Sequence, residues 1–208
     1  MDNYILEIPN FVSPELCNEI VQRFENDTRK KHRPALYTVY GKKYTPGKFS
    51  KEIVMAEHKE YKDIIQPICD VYFRVYDKYL KHLDINFNYL NKDEYVHPYI
   101  REVRSNKEIG IRGGFVLHKI DKGELYSWHH DQNWRSNQNF IQIIIYLNTL
   151  EEHEGGHTEF ISGRKVRPEI GKVLVYPRSW IFLHKGNKII GNNPKYICTA
   201  DILVDFKE

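Results

Sequence analysis

The run Phe140-Ile141-Gln142-Ile143-Ile144-Ile145-Tyr146-Leu147 is strongly apolar and rich in β-branched side chains. A short run of this kind is typical of a buried β-strand. Similar short runs lie on both sides of it, and residues that favour turns, such as Gly155-Gly156, Gly163 and Gly171, separate them. The further runs are Phe115–Ile120, Tyr126–Asp131, Thr158–Ile161, Val173–Tyr176, Trp180–His184 and Tyr196–Val204. Strands this short and this regularly spaced predict a double-sheet jelly roll.

Helical patterns precede these strands. Ser13-Pro14-Glu15 combines a capping hydroxyl, a proline suited to the first helical position and an acid near the positive end of the helix dipole. An apolar stripe follows it, and a second helical pattern covers Tyr61–Leu83, where Pro67 marks either a kink or the true start. Residues 4–12 are predicted to form a short strand and a turn, and residues 27–56 a loop or loose hairpin.

The order of helices first and strands second predicts one α+β domain over residues 1–208. In this prediction, residues 1–110 form a helical N-terminal support with loops. Residues 111–208 form the jelly-roll core, which is also called a double-stranded β-helix.

Composition excludes several classes of protein. Lys and Arg number 31 against 28 Asp and Glu, and a formal charge of +3 does not favour nucleic acid as a partner. No stretch approaches the roughly 20 apolar residues of a membrane helix, and Met1-Asp2-Asn3 does not begin a secretory signal. Three sparse cysteines argue against a disulfide framework, so we expect a cytoplasmic protein. The oligomeric state does not follow from these observations.

The run Tyr126-Ser127-Trp128-His129-His130-Asp131 carries the most informative chemistry. On a strand, His129 and Asp131 share one face, so an imidazole and a carboxylate lie side by side. His184 follows at the end of a predicted apolar strand over 179–183. Two histidines and one carboxylate form the ligand set of non-haem Fe(II) sites that keep open positions. Taken alone, an HxD pair also fits ordinary polar residues on a strand.

The residues around this set carry a family resemblance. Tyr146-Leu147-Asn148 is followed by Gly155-Gly156-His157-Thr158-Glu159-Phe160, then by a Pro168 to Gly171 turn, His184 and Lys195. This ordered series resembles the Fe(II)/2-oxoglutarate-dependent dioxygenases, and within them the prolyl 4-hydroxylase-like branch. The resemblance covers residues 115–204 and, more weakly, the opening segment 5–25.

The resemblance implies a role for each matching residue. His129, Asp131 and His184 would bind Fe(II), and Lys195 would pair with the distal carboxylate of 2-oxoglutarate. Tyr126, Tyr146 and Thr158 would help to hold 2-oxoglutarate, although packing alone also accounts for the two tyrosines. Dioxygen is the other co-substrate that the family uses, and ascorbate supports its members.

The implied reaction is hydroxylation of an unactivated C–H bond, with succinate and carbon dioxide as co-products. By resemblance the favoured substrate is proline in a protein or peptide. Asn139 stands where relatives commonly carry a peptide-binding arginine, and Asp201 stands where they often carry tryptophan. Two alternatives therefore stay open. One is hydroxylation of a free amino acid or small metabolite, and the other is a non-catalytic metal-binding jelly-roll module.

The segment 28–50, which is rich in tyrosine, lysine and glycine, lies where a mobile lid over the substrate is plausible. A solvated loop accounts for the same composition.

Overall fold

Two antiparallel β-sheets form the core of the computed structural model, which describes residues 1–29, 31–32, 37–39, 42–44, 50–87, 111–132 and 139–203. The helices in this part are α1 (Pro14–Asn26) and α2 (Lys62–Phe87), with 3-10 turns at Asp2–Tyr4, Met55–Glu57, Lys59–Tyr61 and Glu152–Glu154. The strands are β1 (Leu6–Ile8), β2 (Lys31–His32), β3 (Tyr37–Val39), β4 (Lys42–Tyr44), β5 (Lys51–Val54), β6 (Ile111–Ile120), β7 (Tyr126–His129), β8 (Asn139–Tyr146), β9 (Thr158–Phe160), β10 (Lys165–Val166), β11 (Val173–Pro177), β12 (His184–Gly186) and β13 (Lys195–Leu203).

The larger sheet has the strand order β1-β11-β8-β13-β6-β5-β2, and the smaller sheet has the order β10-β9-β12-β7. Neighbouring strands within each sheet run antiparallel. This arrangement confirms the predicted α+β jelly roll. The N-terminal part of the chain contributes more than helices, because β1, β2 and β5 all join the larger sheet.

Strand β8 lies inside the larger sheet between β11 and β13, and both of its faces are covered. Ile141, Ile143 and Ile145 pack in one apolar cluster with residues of the two helices. Ile144 and Tyr146 point to the other face, into a second cluster between the sheets. Burial on both faces explains why this run is apolar apart from Gln142, whereas a half-exposed strand alternates.

The helices begin largely as predicted. The Ser13 hydroxyl accepts a hydrogen bond from the Leu16 amide at 3.3 Å, with Pro14 in the first turn of α1. Helix α2 begins at Lys62 and continues through Pro67, so the interpretation of Pro67 as the start of the helix is wrong. No helix in the described ranges is both long enough and apolar enough to cross a membrane.

One predicted strand is absent from its place. Residues 180–183 form a turn, in which the Phe182 amide donates to the Ser179 carbonyl at 2.9 Å, and β12 begins at His184 instead of ending there. The apolar side chains of this run do not share one environment, because Trp180 is 61% exposed while Phe182 is buried. Apolar composition alone therefore predicted the wrong element here.

The predicted hairpin within 27–56 is confirmed in part, because β3 pairs with β4. Much of the proposed lid, including residues 33–36 and 45–49, lies outside the described residues. The lid stays a prediction.

Gly171 joins the N-terminal segment to the jelly roll. Its carbonyl accepts hydrogen bonds from the amides of Phe11 and Val12 at 2.9 and 3.0 Å. Its φ is +75°, and a Cβ at this position would lie 2.1 Å from the Val12 carbonyl oxygen. A side chain here would therefore meet main chain that cannot move without breaking these bonds.

We expect Gly171→Ala to lower the free energy of unfolding, measured by urea denaturation, by the cost of the positive φ and of the clash together. The left-handed conformation costs about 1–2 kcal/mol for alanine, and overpacking adds about 1–3 kcal/mol. Gly163→Ala is the matched control, because Gly163 has a φ of +89° and open space around its Cβ position. Equal losses in the two variants would contradict a clash at Gly171.

Candidate metal centre

Three of the predicted side chains meet between the sheets. His129 ends β7, His184 begins β12, and these two residues are direct partners in the antiparallel pairing of the strands. Asp131 follows two residues after His129, beyond the end of the strand. One donor atom from each of the three side chains lies within 4.8 Å of the others. The geometry therefore brings the histidines together through the sheet and adds the carboxylate from a connecting segment.

Hydrogen bonds select one nitrogen of each imidazole. Nδ1 of His129 lies 2.8 Å from the Ser127 carbonyl oxygen, and Nδ1 of His184 lies 2.9 Å from the Phe182 carbonyl oxygen. Because a carbonyl only accepts, each Nδ1 carries the proton and each Nε2 keeps a lone pair. The two Nε2 atoms face Asp131, at 3.6 Å from Oδ1 and 3.5 Å from Oδ2. Two neutral imidazoles and a carboxylate form a donor set that fits Fe(II).

Two residues that the sequence did not single out hold Asp131. The Tyr176 hydroxyl donates to Asp131 Oδ2 at 2.9 Å, and the Arg178 guanidinium donates to the Asp131 carbonyl. Burial alone would raise the pKa of Asp131, but the electrostatic interactions with His184, His129 and Arg178 and the Tyr176 hydrogen bond outweigh it. The pKa therefore lies below its usual value, and the carboxylate stays ionised. The only signal in the sequence is the position of these residues at the end of the strand before His184.

Lys195, at the start of β13, is 4% exposed. Its ammonium donates to the Gly156 carbonyl at 2.7 Å and lies 5.3 Å from the centre of the Tyr146 ring. Burial lowers its pKa to about 7. Among the described residues, no carboxylate lies within ion-pair distance of it. A buried ammonium in this state is costly, so the position favours an anion from outside the chain.

The other three predicted residues, Thr158, Tyr146 and Tyr126, lie around the candidate metal donors and Lys195. Thr158 lines the same cavity as the metal donors and Lys195, and its hydroxyl is 2.8 Å from that of Tyr146. Tyr146 is thus in contact with a residue of the cavity wall. The Tyr126 ring stacks on the His129 ring with centres 3.5 Å apart. Tyr126 thus packs against the proposed metal ligand, and it also lines the cavity.

The cavity has a volume of about 290 Å³, and a polar wall lies on its larger-sheet side. In that wall Glu52 Oε1 accepts from the Ser50 hydroxyl at 2.8 Å and lies 3.0 Å from His118 Nδ1. His118 Nε2 lies 2.9 Å from the Thr199 hydroxyl. No local sequence pattern marks this wall, because Glu52, His118 and Thr199 come from three strands that are far apart in the chain.

The jelly-roll part of the chain matches a known family. Residues 115–200 match the family model of the 2OG-Fe(II) oxygenase superfamily. The match covers less than half of the chain and shows that this region is similar to 2OG-Fe(II) oxygenases. Members of this superfamily use Fe(II), 2-oxoglutarate and dioxygen, and the matched region of this chain contains the three candidate metal donors, Thr158 and Lys195. No curated protein sequence matches the chain.

Solved structures similar to this chain include prolyl hydroxylases. A viral collagen prolyl hydroxylase from Paramecium Bursaria Chlorella virus-1, in complex with 2OG, is 14% identical with a TM-score of 0.57 over 98% of this chain and 97% of that chain. A Pseudomonas putida prolyl-4-hydroxylase is 13% identical with a TM-score of 0.61 over 98% and 94% of the two chains. A Trichoplax adhaerens prolyl hydroxylase, in complex with a hypoxia inducible factor oxygen degradation domain peptide fragment, is 13% identical with a TM-score of 0.66 over 97% and 84%. At these identities the likeness shows the fold.

The burial of Lys195 predicts an unusual stability profile. The lysine binds its proton more weakly in the folded protein, with a pKa of about 7, than in the unfolded chain, with an ordinary value of 10.5. Its destabilising effect is therefore complete below pH 7, where it is on the order of several kcal/mol, and it fades as the pH rises towards 10. We expect Lys195→Met to raise the free energy of unfolding at pH 6.5, and the gain over wild type to shrink at pH 9.

Lys172→Met is the matched control for this urea-denaturation series. Lys172 is also buried, but it forms ion pairs with Glu169 at 2.9 Å and Glu7 at 3.4 Å. Loss of these pairs should destabilise the protein. A stability loss in Lys195→Met at pH 6.5 would show that Lys195 has an anionic partner within the chain.

Proposed function

We propose that this protein is a 2OG-Fe(II) oxygenase that hydroxylates prolyl residues of a protein or peptide. The observation that carries the proposal is the meeting of two deprotonated Nε2 atoms and an ionised carboxylate in one cavity with a buried lysine. Such a cavity places a carboxylate and two imidazole nitrogens for a metal ion beside an ammonium for a dicarboxylate.

His129, Asp131 and His184 hold Fe(II) in this proposal. Fe(II) with 2-oxoglutarate and dioxygen supplies the oxidative decarboxylation that yields succinate and carbon dioxide, together with the oxygen atom that enters the C–H bond. The Ser127 and Phe182 carbonyls keep the imidazoles in the ligand tautomer. The protein's own contribution is therefore ligation at three positions and orientation of those ligands.

Lys195 binds the distal carboxylate of 2-oxoglutarate in this proposal. The Gly156 carbonyl and the Tyr146 ring hold the ammonium in place without cancelling its charge. Thr158 adds a hydroxyl to the same part of the cavity wall, and its hydrogen bond to Tyr146 orients it. An ion pair formed in a buried cavity is stronger than one in water, so this contact contributes much of the co-substrate affinity.

Similarity to prolyl hydroxylases supports the choice of substrate. Three of the similar structures are named prolyl hydroxylases, and the Trichoplax adhaerens one holds a peptide fragment. Asp201 departs from the pattern of such enzymes and forms an ion pair with Arg178 at the cavity. The side chain of Asn139, the other departure, lies outside the part that the structure describes.

Succinate release tests the reaction. Purified protein with Fe(II), ascorbate and 2-oxoglutarate should form succinate, and formation should increase when a proline-containing peptide substrate is present. His129→Ala and Asp131→Ala should each lower the rate at least about 100-fold, because each removes a metal ligand. His153→Ala, which changes an exposed histidine outside the cavity, should leave the rate unchanged.

Mass spectrometry of peptide and metabolite libraries tests the substrate. We expect a 2-oxoglutarate-dependent gain of one oxygen atom on a prolyl residue. Modification of a free amino acid or metabolite alone would replace the peptide assignment. Bound metal without succinate formation for any substrate would favour a non-catalytic module.

The affinity for 2-oxoglutarate should depend on pH through Lys195. Because the lysine loses its proton above about pH 7 in the free protein, binding of the dicarboxylate must restore that proton. We expect the Kd of Co(II)-loaded protein, measured by calorimetry without dioxygen, to rise by up to about tenfold per pH unit between pH 7 and 9.

Lys195→Met is the control for this pH series. It should bind 2-oxoglutarate more weakly at pH 7, and its Kd should stay constant up to pH 9. A wild-type Kd that does not change over this range would contradict the role of Lys195 as the carboxylate partner.

A further inference from the structure

The pairing of β7 with β12 does not by itself fix the position of Asp131. Strand β7 ends at His129, so the main chain at Asp131 lies outside the ladder that aligns the two histidines. A metal site loses affinity when one ligand is free to move. Contacts from the chain segment 176–180, at the end of β11 and after it, hold residues 131 and 132 in place.

Tyr176 contacts the side chain of Asp131. The tyrosine is 1% exposed, and its hydroxyl lies 2.9 Å from Asp131 Oδ2 and 3.0 Å from His184 Nε2. Its single proton is directed to Oδ2 once Nε2 uses its lone pair for an ion. Oδ1, which faces His129 Nε2 at 3.6 Å, is then the oxygen without this hydrogen bond.

Arg178 contacts the main chain of Asp131. Its Nε donates to the Asp131 carbonyl oxygen at 3.0 Å, and a second guanidinium nitrogen donates to the same oxygen. The remaining nitrogen forms an ion pair with Asp201 of β13, and both side chains are largely buried. Arg178 thus connects the segment that carries Asp131 to the larger sheet.

We propose that Tyr176 and Arg178 are positioning residues of the metal centre, with Asp201 as the anchor of Arg178. The proposal rests on the proposed function, because it takes Asp131 as a metal ligand. Tyr176 occupies Oδ2 and keeps the carboxylate bound through one oxygen, whereas Arg178 sets the position of the main chain that carries it.

The number of oxygens that Asp131 uses matters for the co-substrate. A carboxylate binds a metal ion through one or both oxygens. In a six-coordinate site, two histidines and one oxygen leave three positions, and a second oxygen from Asp131 would occupy one of them. By engaging Oδ2, Tyr176 preserves the positions that 2-oxoglutarate and dioxygen require.

Calorimetry with Co(II) and then with 2-oxoglutarate, without dioxygen, separates the two roles. Tyr176→Phe should keep its Co(II) affinity within about threefold, bind 2-oxoglutarate at least about tenfold more weakly and change the visible absorption spectrum of the bound Co(II). Arg178→Gln and Asp201→Asn should each weaken Co(II) binding about tenfold. In the double variant the two losses should not add, because Asp201 acts through Arg178.

Tyr79→Phe is the matched control for the tyrosine. It removes another buried hydroxyl, one that donates to the Tyr4 carbonyl at 2.9 Å outside the cavity. It should leave Co(II) and 2-oxoglutarate binding unchanged. Arg178→Lys retains the charge and should recover part of the Co(II) affinity lost in Arg178→Gln. If Arg178→Gln does not fold, Arg178→Lys still tests the role of the guanidinium.

Asp131→Ala distinguishes failure of this proposal from failure of the proposed function. If Asp131→Ala abolishes Co(II) binding while Tyr176→Phe binds 2-oxoglutarate like wild type and both Arg178 variants bind Co(II) like wild type, Tyr176 and Arg178 do not position the ligand. If Asp131→Ala itself binds Co(II) like wild type, the metal centre of the proposed function is wrong, and this proposal is wrong with it.

Discussion

The antiparallel pairing of β7 with β12 is the constraint on which the site depends. It places His129 directly opposite His184, although the two residues are far apart in the chain. The pairing brings the rings within 4.2 Å between centres, and backbone carbonyls then fix the tautomer of each ring. The third donor, Asp131, comes from outside this ladder, so its position depends on the larger sheet through Tyr176 and Arg178.

Strand β8 contributes one face to the hydrophobic core and the other face to the space that contains the site. One face packs against the helices, and the other face forms part of the space between the sheets. The helical side therefore supplies most of the apolar burial, while the inner side tolerates polar residues. Glu52, His118 and Lys195 are all buried around the cavity, where apolar residues would be more stabilising. Their burial is a cost that the large core on the other face offsets.

Much of the fold follows from local sequence, and the exceptions have physical reasons. Ser13-Pro14 marks the start of α1, and the run 140–147 marks a strand that is buried on both faces. The run 180–183 is equally apolar, yet it forms a turn with an exposed tryptophan. Apolar composition reports a tendency towards burial, and tertiary context decides which backbone conformation achieves it.

The sequence by itself determined which side chains come in order along the chain: His129, Asp131, Thr158, His184 and Lys195 predicted a metal donor set, a cation beside it and a likeness to the 2OG-Fe(II) oxygenases. Only the tertiary structure decided what surrounds them, namely Tyr176 and Arg178 in contact with Asp131 and the Glu52–His118 wall of the cavity. The reason is that ligand types recur at fixed spacings along the chain, whereas supporting contacts join residues of distant strands. Such contacts depend on strand order and register, which no local pattern encodes.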